Sequence, residues 1–514
     1  MSSPATYENI QIVPLVVKMS NRDATLAQDA WMKNVVLEEG DDGPISVKRP
    51  GLGNVAKLTS QGLASYTVEG MGSWGSDAVV IVNNKVLPVT AIVQAPTVAA
   101  SLGTLTAPGQ AAADRFRVLW ETAMQAPAFL AIQGSSRYVY TYGRLGNGIE
   151  YFDTQAGFGV VGNLKPSLCQ LDNTWYVMDD QGRIVASAIG DITNWPALNY
   201  VQLDAGIETG VCLHRHLNYL LAFGVKGIVA YYDAGNATGA PILPVPNATF
   251  TTGMTKWGGF TVAEIDDNTY WLGRGAAPGF SVYRMVGLTV GSIATPSIER
   301  LLSAYFRTAD TDMETMSATA RVAAPRGFTF KSSGHTYYIL TSPTYTNSTG
   351  IVRPGITLSY CVDMNHWTVW TQQVGSSEME FQPMGSVTLS SLGYSFMADS
   401  NGNFYNFDQT VYQDNALPIN VLIQTDLFNW GNQRTKLIAA TYPLLDTVNT
   451  TVYLSWTDND YQTFCTPQAI ATSTAKKQLV RCGSTVQRAW LLTHTDNTPM
   501  RFYQLEVEVV PGAL

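Results

Sequence analysis

Residues 169–187 read CQLDNTWYVMDDQGRIVAS, and this stretch decides the fold class. A short apolar run meets the polar pair Asp172-Asn173, a strand rich in Trp and Tyr follows, and a second polar turn leads to a third strand. Asn and Asp pairs flanked by alternating or β-branched residues favour tight hairpin turns, because these side chains tolerate left-handed backbone. Variants of the unit occur on both sides: VVIVNNKVLPV (79–89), LAIQGSSRYVYTYG (130–143) and CLHRHLNYLLAFGVKGIVAYY (212–232). Further copies are VAEIDDNTYWLGRGAAPGFSVYRM (262–285), FTFKSSGHTYYILT (328–341) and SSLGYSFMADSNGNFYNFD (390–408).

One such meander cannot bury both of its faces alone, but sheets packed radially bury both and leave few open edges. A propeller blade takes about 40–50 residues, so residues 76–415 accommodate six or seven. The expected fold is therefore all-β: a β-propeller over 76–415, with a stacked pair of β-sandwiches as the alternative. After Pro418 the strands lengthen, as in KLIAATYPLL (436–445) and MRFYQLEVEVV (500–510), and predict a separate antiparallel β-domain over 416–514. Residues 1–75 contain strand-like runs without a hairpin array and read as an arm that completes another sheet or reaches a neighbouring subunit. The segment 97–114 reads as a long loop. Helix is scarce; SIERLLSAYF (297–306), after Pro296, has its apolar residues at helical spacing.

Of 514 residues, 46% are hydrophobic and only 14% charged, against the usual quarter or so. So neutral a surface suits a subunit that buries much of its exterior against partners, and equally a protein of many short strands and polar turns; composition alone does not separate the two. The net charge of −9 argues against a conventional nucleic-acid binder, which carries a basic face. Between Arg353 and Arg434 there is no Lys or Arg, while Asp363, Glu378, Glu380, Asp399, Asp408, Asp414 and Asp426 fall in that gap. Five cysteines without a CxxC pair predict buried reduced thiols, neither a zinc ribbon nor a thioredoxin-like site. The N-terminus lacks the pattern of a signal peptide, and no apolar run approaches the ~20 residues that span a bilayer.

Catalytic constellations are sparse. His214 and His216 sit two apart on a strand and share a face, without a third ligand at metal spacing. His335, His366 and His494 stand apart among aromatic residues. There is no GxSxG elbow, Walker loop or dinucleotide fingerprint. TDNDYQTF (457–464) is faintly similar to the Asp-box turn of sialidase-type propellers, itself a structural turn, with Asn459 and Tyr461 departing from that pattern. The expectation is a non-enzyme without catalytic residues, metal or cofactor. A carbohydrate-binding propeller is the second reading, and a glycosidase a weaker third.

Short motifs in a fixed order complete the reading. Arg49-Pro50-Gly51-Leu52 follows the N-terminal arm; Gly190-Asp191 with Trp195 resembles a "GD-x-x-x-W" turn; Leu221-Ala222-Phe223-Gly224 resembles an "L-x-x-FG" strand. WGGFTVAEIDDNTYWLGR (257–274) follows, then Arg284-Met285-Val286-Gly287 and Ile293-Ala294-Thr295-Pro296-Ser297-Ile298-Glu299. Together with SWTDNDYQTF (455–464) and the strands over 488–509, these resemble the tail hub or nozzle family of short-tailed bacteriophages, also called head–tail or packaged-DNA stabilisation proteins. Ala294 replaces the family's usual Ser, and the Glu usual after the "FG" turn is absent. The resemblance implies a homohexameric ring in the virion tail, assembled in the host cytoplasm, below the portal and adaptor rings. Tail needle or plug and fibre or spike proteins would be partners, and double-stranded DNA would pass through its channel. Pore-lining carboxylates would repel phosphates and keep passage smooth, with Asp363, Glu378, Glu380, Asp399, Asp408 and Asp414 as candidates.

Overall fold

The hairpin turns behave as the sequence dictates. In the computed structural model Asn83-Asn84, Asp172-Asn173, Asp266-Asp267 and Ser333-Gly334 all have positive φ at both central residues, the type I′ signature that matches strand twist. In the copy around Asn218 the positive φ falls on Leu217. The structure describes residues 10–511 except 58–67, 75–76, 93–94, 99–100, 106–115, 122–127, 134–137, 143–147, 154–162, 193, 237–238, 240, 276–278, 318–322, 390–393, 400–401 and 475–476. The turns at Gly134 and Gly393 and much of the 97–114 loop lie outside the described residues.

Each hairpin grows into a four-stranded antiparallel meander, giving seven blades among the described residues. Blade 1 contains Val68–Trp74, Asp77–Val82 and Lys85–Ile92, with Ala95–Val98 and Gly103–Thr104 both on the outer side of the third strand. Blade 2 runs from Phe116–Glu121 to Ile149–Asp153, blade 3 from Leu164–Leu171 to Tyr200–Gln202, and blade 4 from Gly210–His216 to Ile242–Phe250. In blade 5 the first strand is split into Gly253–Met254 and Ala263–Ile265 around a 3-10 turn. Blade 6 runs from Arg326–Ser332 to His366–Val374. Blade 7 takes Gly385–Leu389, Tyr394–Ala398 and Asn403–Asp408, and its fourth strand is Gly51–Lys57 from the other end of the chain. The first strands of neighbouring blades stand side by side, and that of blade 7 returns against that of blade 1, closing the ring.

Between blades 5 and 6 runs one continuous helical segment, Pro296–Leu301, Leu302–Phe306 and Arg307–Met313, the middle part π-wound. It starts where the sequence signals it: the Thr295 side chain accepts from the Ile298 N–H, and Pro296 takes the first turn, where its missing N–H costs nothing. Ile298, Leu301, Leu302 and Phe306 are buried against blades 5 and 6.

The remaining strands form a β-sandwich that draws on both chain ends. One sheet orders Val35–Gly40, Gly43–Lys48, Arg501–Pro511 and Lys436–Leu445, with Ile10–Pro14 also paired to Arg501–Pro511. The other orders Trp31–Lys33, Val421–Gln424, Ala489–His494, Thr451–Thr457 and Gln468–Ala471. Alternation fixes which face turns inward: Phe502, Leu505, Val507 and Val509 of the last strand meet Val13, Leu37, Ile438, Leu454 and Trp490. Burying each such side chain contributes ~1.5–3 kcal/mol. The second sheet continues into blade 6, where Lys33 pairs in parallel with Val369.

The division at residues 75 and 416 read from the sequence is contiguous, and the observed one is not. The strands between residues 10 and 48 pair with the C-terminal strands, while Met19 and Leu26 between them pack against blades 5 and 6, and Gly51–Lys57 and Val68–Trp74 are propeller strands. The reason is closure: a propeller ring and a sandwich each gain most by pairing their open edges, and the free edges here lie at opposite ends of the chain.

Candidate functional site

Where the chain leaves the sandwich and enters the propeller, it passes Lys48-Arg49-Pro50-Gly51. The Arg49 guanidinium is fully buried and paired with the equally buried Asp414 carboxylate. Its Nη1 donates to Asp414 Oδ1 at 2.9 Å and to the Pro50 carbonyl at 3.1 Å; Nη2 donates to the second Asp414 oxygen and to the Thr371 carbonyl at 2.9 Å; Nε donates to Asn34 Oδ1 at 3.1 Å. The planar donor fork suits this arrangement, which a lysine could not reproduce. Trp370 and Phe381 lie 5.6 and 5.2 Å from the guanidinium carbon and add cation–π attraction.

Asp414 also acts on the backbone. Its Oδ1 accepts the Leu52 N–H at 3.0 Å and so fixes the start of the strand that closes blade 7. Gly51 is required here, since a Cβ would lie 2.1 Å from the Gln413 carbonyl oxygen. Asn34, with φ of 56°, joins the remaining parts. Its Oδ1 also accepts the Thr371 N–H at 2.9 Å, and its Nδ2 donates to Thr371 Oγ1 and the Asn420 carbonyl. One buried hub thus ties blade 6, the blade 7 closure and both sandwich sheets. The adjoining Lys48 is buried and donates to the Asp496 carbonyl at 2.6 Å; burial, reinforced by Arg49, pushes its ammonium down to about 8.

The six acidic candidates separate into two groups. Asp414, Asp399 and Glu380 are buried inside the subunit and cannot line a channel. Asp399 accepts from Asn403 and from the Tyr405 hydroxyl at 2.6 Å, and Glu380 from the Thr344 N–H at 2.8 Å and its hydroxyl at 2.7 Å. Glu378 is part-exposed but sits 2.8 Å from Lys33 Nζ. Burial raises its carboxyl, and Lys33 with hydrogen bonds from Lys33, Thr371 and Asn420 more than offsets this, leaving it below its ordinary value. Asp408 holds the turn to Thr410, and Asp363 accepts the Thr336 N–H at 2.7 Å with its side chain half exposed. The gap in cations along the sequence is therefore no gap in space: Lys33 and Arg49 fill it from the N-terminal segment.

The motif positions are structural. Gly190 has φ of +70°, and its N–H donates to the Asn173 carbonyl at 2.7 Å; Trp195 is buried and donates to the Ile192 carbonyl at 2.7 Å. Asp191 bridges to Ala188 in the same turn. At Gly224 a Cβ would approach the Ile207 carbonyl oxygen to 2.4 Å. Arg284 donates to Asn268 Oδ1 at 3.1 Å; Gly287 has φ of +55°; Thr295 caps the helix, with Glu299 in its first turn. On the loop between Gly190 and Tyr200 and just before it, Leu198 and Ile189 are largely exposed, at 76% and 68%.

The histidines gain partners that spacing did not reveal. His214 lies 3.1 Å from Glu264 Oε2, while buried His216 bonds Thr269 Oγ1 and the Gly287 carbonyl across to blade 5. The 457–464 turn is knitted by Asn459, which accepts from the Thr457 hydroxyl and the Thr463 N–H, and the neighbouring Asp458 is held by Arg488. Asn34, Lys48 and Thr371 escaped sequence reasoning, because a side chain that bonds residues hundreds of positions away leaves no local pattern.

A closed seven-bladed ring locked to a two-ended sandwich defines a β-propeller protein with an attached β-domain. Residues 125–322 match the phage stabilisation family, described as "Bacteriophage P22 Gp10, beta-propeller". This is the family that the ordered motifs resemble, and most of those motifs lie in the matched stretch. No curated protein matches the chain. Among solved structures it is similar to the computationally designed Ika8 protein (7% identity, TM-score 0.36, covering 69% of this chain and 99% of that one). It is also similar to the N-terminal domain of Nup159 (9%, 0.38, 73% and 98%) and to BamB from Moraxella catarrhalis (10%, 0.33, 77% and 97%). Among the described residues, no helix is long and apolar enough to cross a membrane.

Proposed function

We propose that this chain is a non-catalytic structural subunit of a short-tailed phage tail, forming a homohexameric ring around the DNA channel. It retains packaged DNA and conducts it at ejection. The observation that carries the reading is the family match over residues 125–322. A rigid subunit supports it: the buried Arg49–Asp414 pair locks the ring closure to the sandwich, as a part under internal DNA pressure requires. Exposed apolar residues on several elements, among them Ile189, Leu198, Val352, Leu437 and Leu444, suit contacts with other copies or with adaptor, needle and fibre proteins. Of the acidic candidates, Asp408 retains a role at the channel wall, while Asp363 stands beside His335 and the buried Asp399, Asp414 and Glu380 hold the subunit together.

The test uses DNA-filled particles that end at the adaptor ring. Adding the purified chain should protect their DNA from nuclease and restore attachment of distal tail proteins. Particles that stay nuclease-sensitive with saturating chain would overturn the proposal. The carbohydrate-binding reading predicts instead saturable binding to host surface glycans by the isolated chain.

A further inference from the structure

Three side chains of blade 6 converge beside the sandwich in a pattern that the proposed tail role does not use. His335 opens the strand His335–Ser342; Cys361 ends the strand Ile356–Cys361; Asp363 follows in the next turn. One ligand atom from each lies within 4.8 Å of the others, with His335 Nδ1 3.7 Å from an Asp363 oxygen and 4.0 Å from Cys361 Sγ. Around a tetrahedral ion with metal–ligand bonds of about 2.0–2.3 Å, such atoms sit a little closer together than this. Side-chain movement of up to about an ångström would bring the three ligand atoms around one ion, leaving the fourth position to water.

The support around these atoms is what distinguishes the cluster from a chance meeting. The far nitrogen of the imidazole, Nε2, hydrogen-bonds Glu38 Oε2 at 3.2 Å, leaving Nδ1 to face the thiol and the carboxylate. A carboxylate behind a ligating histidine is the usual means of fixing its tautomer and strengthening it as a ligand. Asp363 is oriented in turn by the Thr336 N–H, and the Val362 N–H donates to the Thr336 carbonyl, pinning the two turns together. Asp363 is half exposed and Cys361 buried, so an ion would enter from the carboxylate side and keep one position open to water.

We propose that His335 Nδ1, Cys361 Sγ and Asp363 form a site for one divalent cation of the zinc class. A thiolate, an imidazole and a carboxylate together suit zinc better than calcium or magnesium, which prefer all-oxygen cages. On binding, the Cys361 thiol loses its proton to solvent and the sulfur–metal bond forms. Glu38 lies in the strand Val35–Gly40 of the sandwich, so the site would join blade 6 to the other domain.

Cobalt(II) chloride added to the purified, chelator-treated full chain tests this. The expected result is saturation at one equivalent per chain, with a near-ultraviolet thiolate-to-cobalt absorption that zinc sulfate displaces. Zinc should also raise the melting temperature. Cys361→Ser should abolish the absorption, Cys465→Ser, at a thiol outside the cluster, should leave it intact, and Glu38→Ala should weaken cobalt binding ~10–100-fold. Glu38→Ala leaves all three ligands in place, so it keeps the test open if Cys361→Ser fails to fold. Absence of saturable binding, absorption that survives Cys361→Ser, or unchanged affinity in Glu38→Ala would overturn the proposal.

Discussion

Blade 3 begins at Leu164 and ends at Gln202, each strand pairing with the next, whereas the sandwich pairs Ile10 with Glu508 and Phe502 with Ser46. The first is built from local turns and the second from chain ends that must find each other. Loop-closure entropy penalises the second kind of pairing before any contact rewards it. The sandwich and the blade 7 closure therefore rest on long-range anchors, chiefly Arg49, Asp414 and Asn34, where the middle blades rest on their hairpins.

Removing residues 1–57 should have the largest effect, since it deletes four sandwich strands and the closing strand of blade 7. The expected outcome is no cooperative thermal melt by near-ultraviolet circular dichroism. A cooperative melt from residues 58–514 would dissolve the distinction between the two regions.

Asp414→Ala should come next. It leaves a buried guanidinium unpaired and frees the Leu52 N–H, at a cost of about 3–5 kcal/mol in urea unfolding. Replacing both Arg49 and Asp414 by apolar residues of similar volume should cost less than the single change. A loss under about 1 kcal/mol for Asp414→Ala would show that the hub does not anchor the closure.

Acid should act on both regions, with His366 opening the last strand of blade 6 and His494 ending a sandwich strand. Burial pushes the imidazoles of His366 and His494 down to about 4, so the folded chain keeps them neutral. Between their ordinary value of 6.5 and about 4 the unfolded chain binds more protons. Stability is therefore full above this window and falls as pH drops through it, by at most about 3 kcal/mol for each group. His216 in blade 4 is pushed the same way, so the propeller contributes part of the slope. His494→Gln should flatten the pH dependence of the melt, and an unchanged slope would count against the assignment.

The hairpin turns should give the smallest effects. Asn173→Ala forces a Cβ-bearing residue without a local polar side chain into left-handed backbone and should cost ~1–2 kcal/mol, while Asn173→Gly should be nearly neutral. Equal losses for both would point to side-chain contacts in place of backbone conformation.

These differences explain what could be read from the sequence. Asp172-Asn173 and Asp266-Asp267 announce their hairpins because turn chemistry is confined to adjacent residues, and Thr295-Pro296 announces the helix for the same reason. The role of Gly51–Lys57 is not legible: nothing in those residues names Asn403–Asp408 as their partner. Nor does the stretch from Arg353 to Arg434 reveal that Lys33 and Arg49 lie against it. Asp414, Asp399 and Glu380 look like free charges along the chain and are buried hydrogen-bond acceptors in space. The His335–Cys361–Asp363 cluster was hidden likewise, its members brought together by strand pairing.

The central claim is that this chain is a ring-forming tail subunit, and mass measurement of the intact assembly tests it most directly. The 55.9 kDa chain, purified alone and then mixed with its neighbours in the particle, is weighed by native mass spectrometry. A six-copy ring, formed alone or on the adaptor, is the expected result. A chain that stays monomeric at every concentration and beside every neighbour would contradict it.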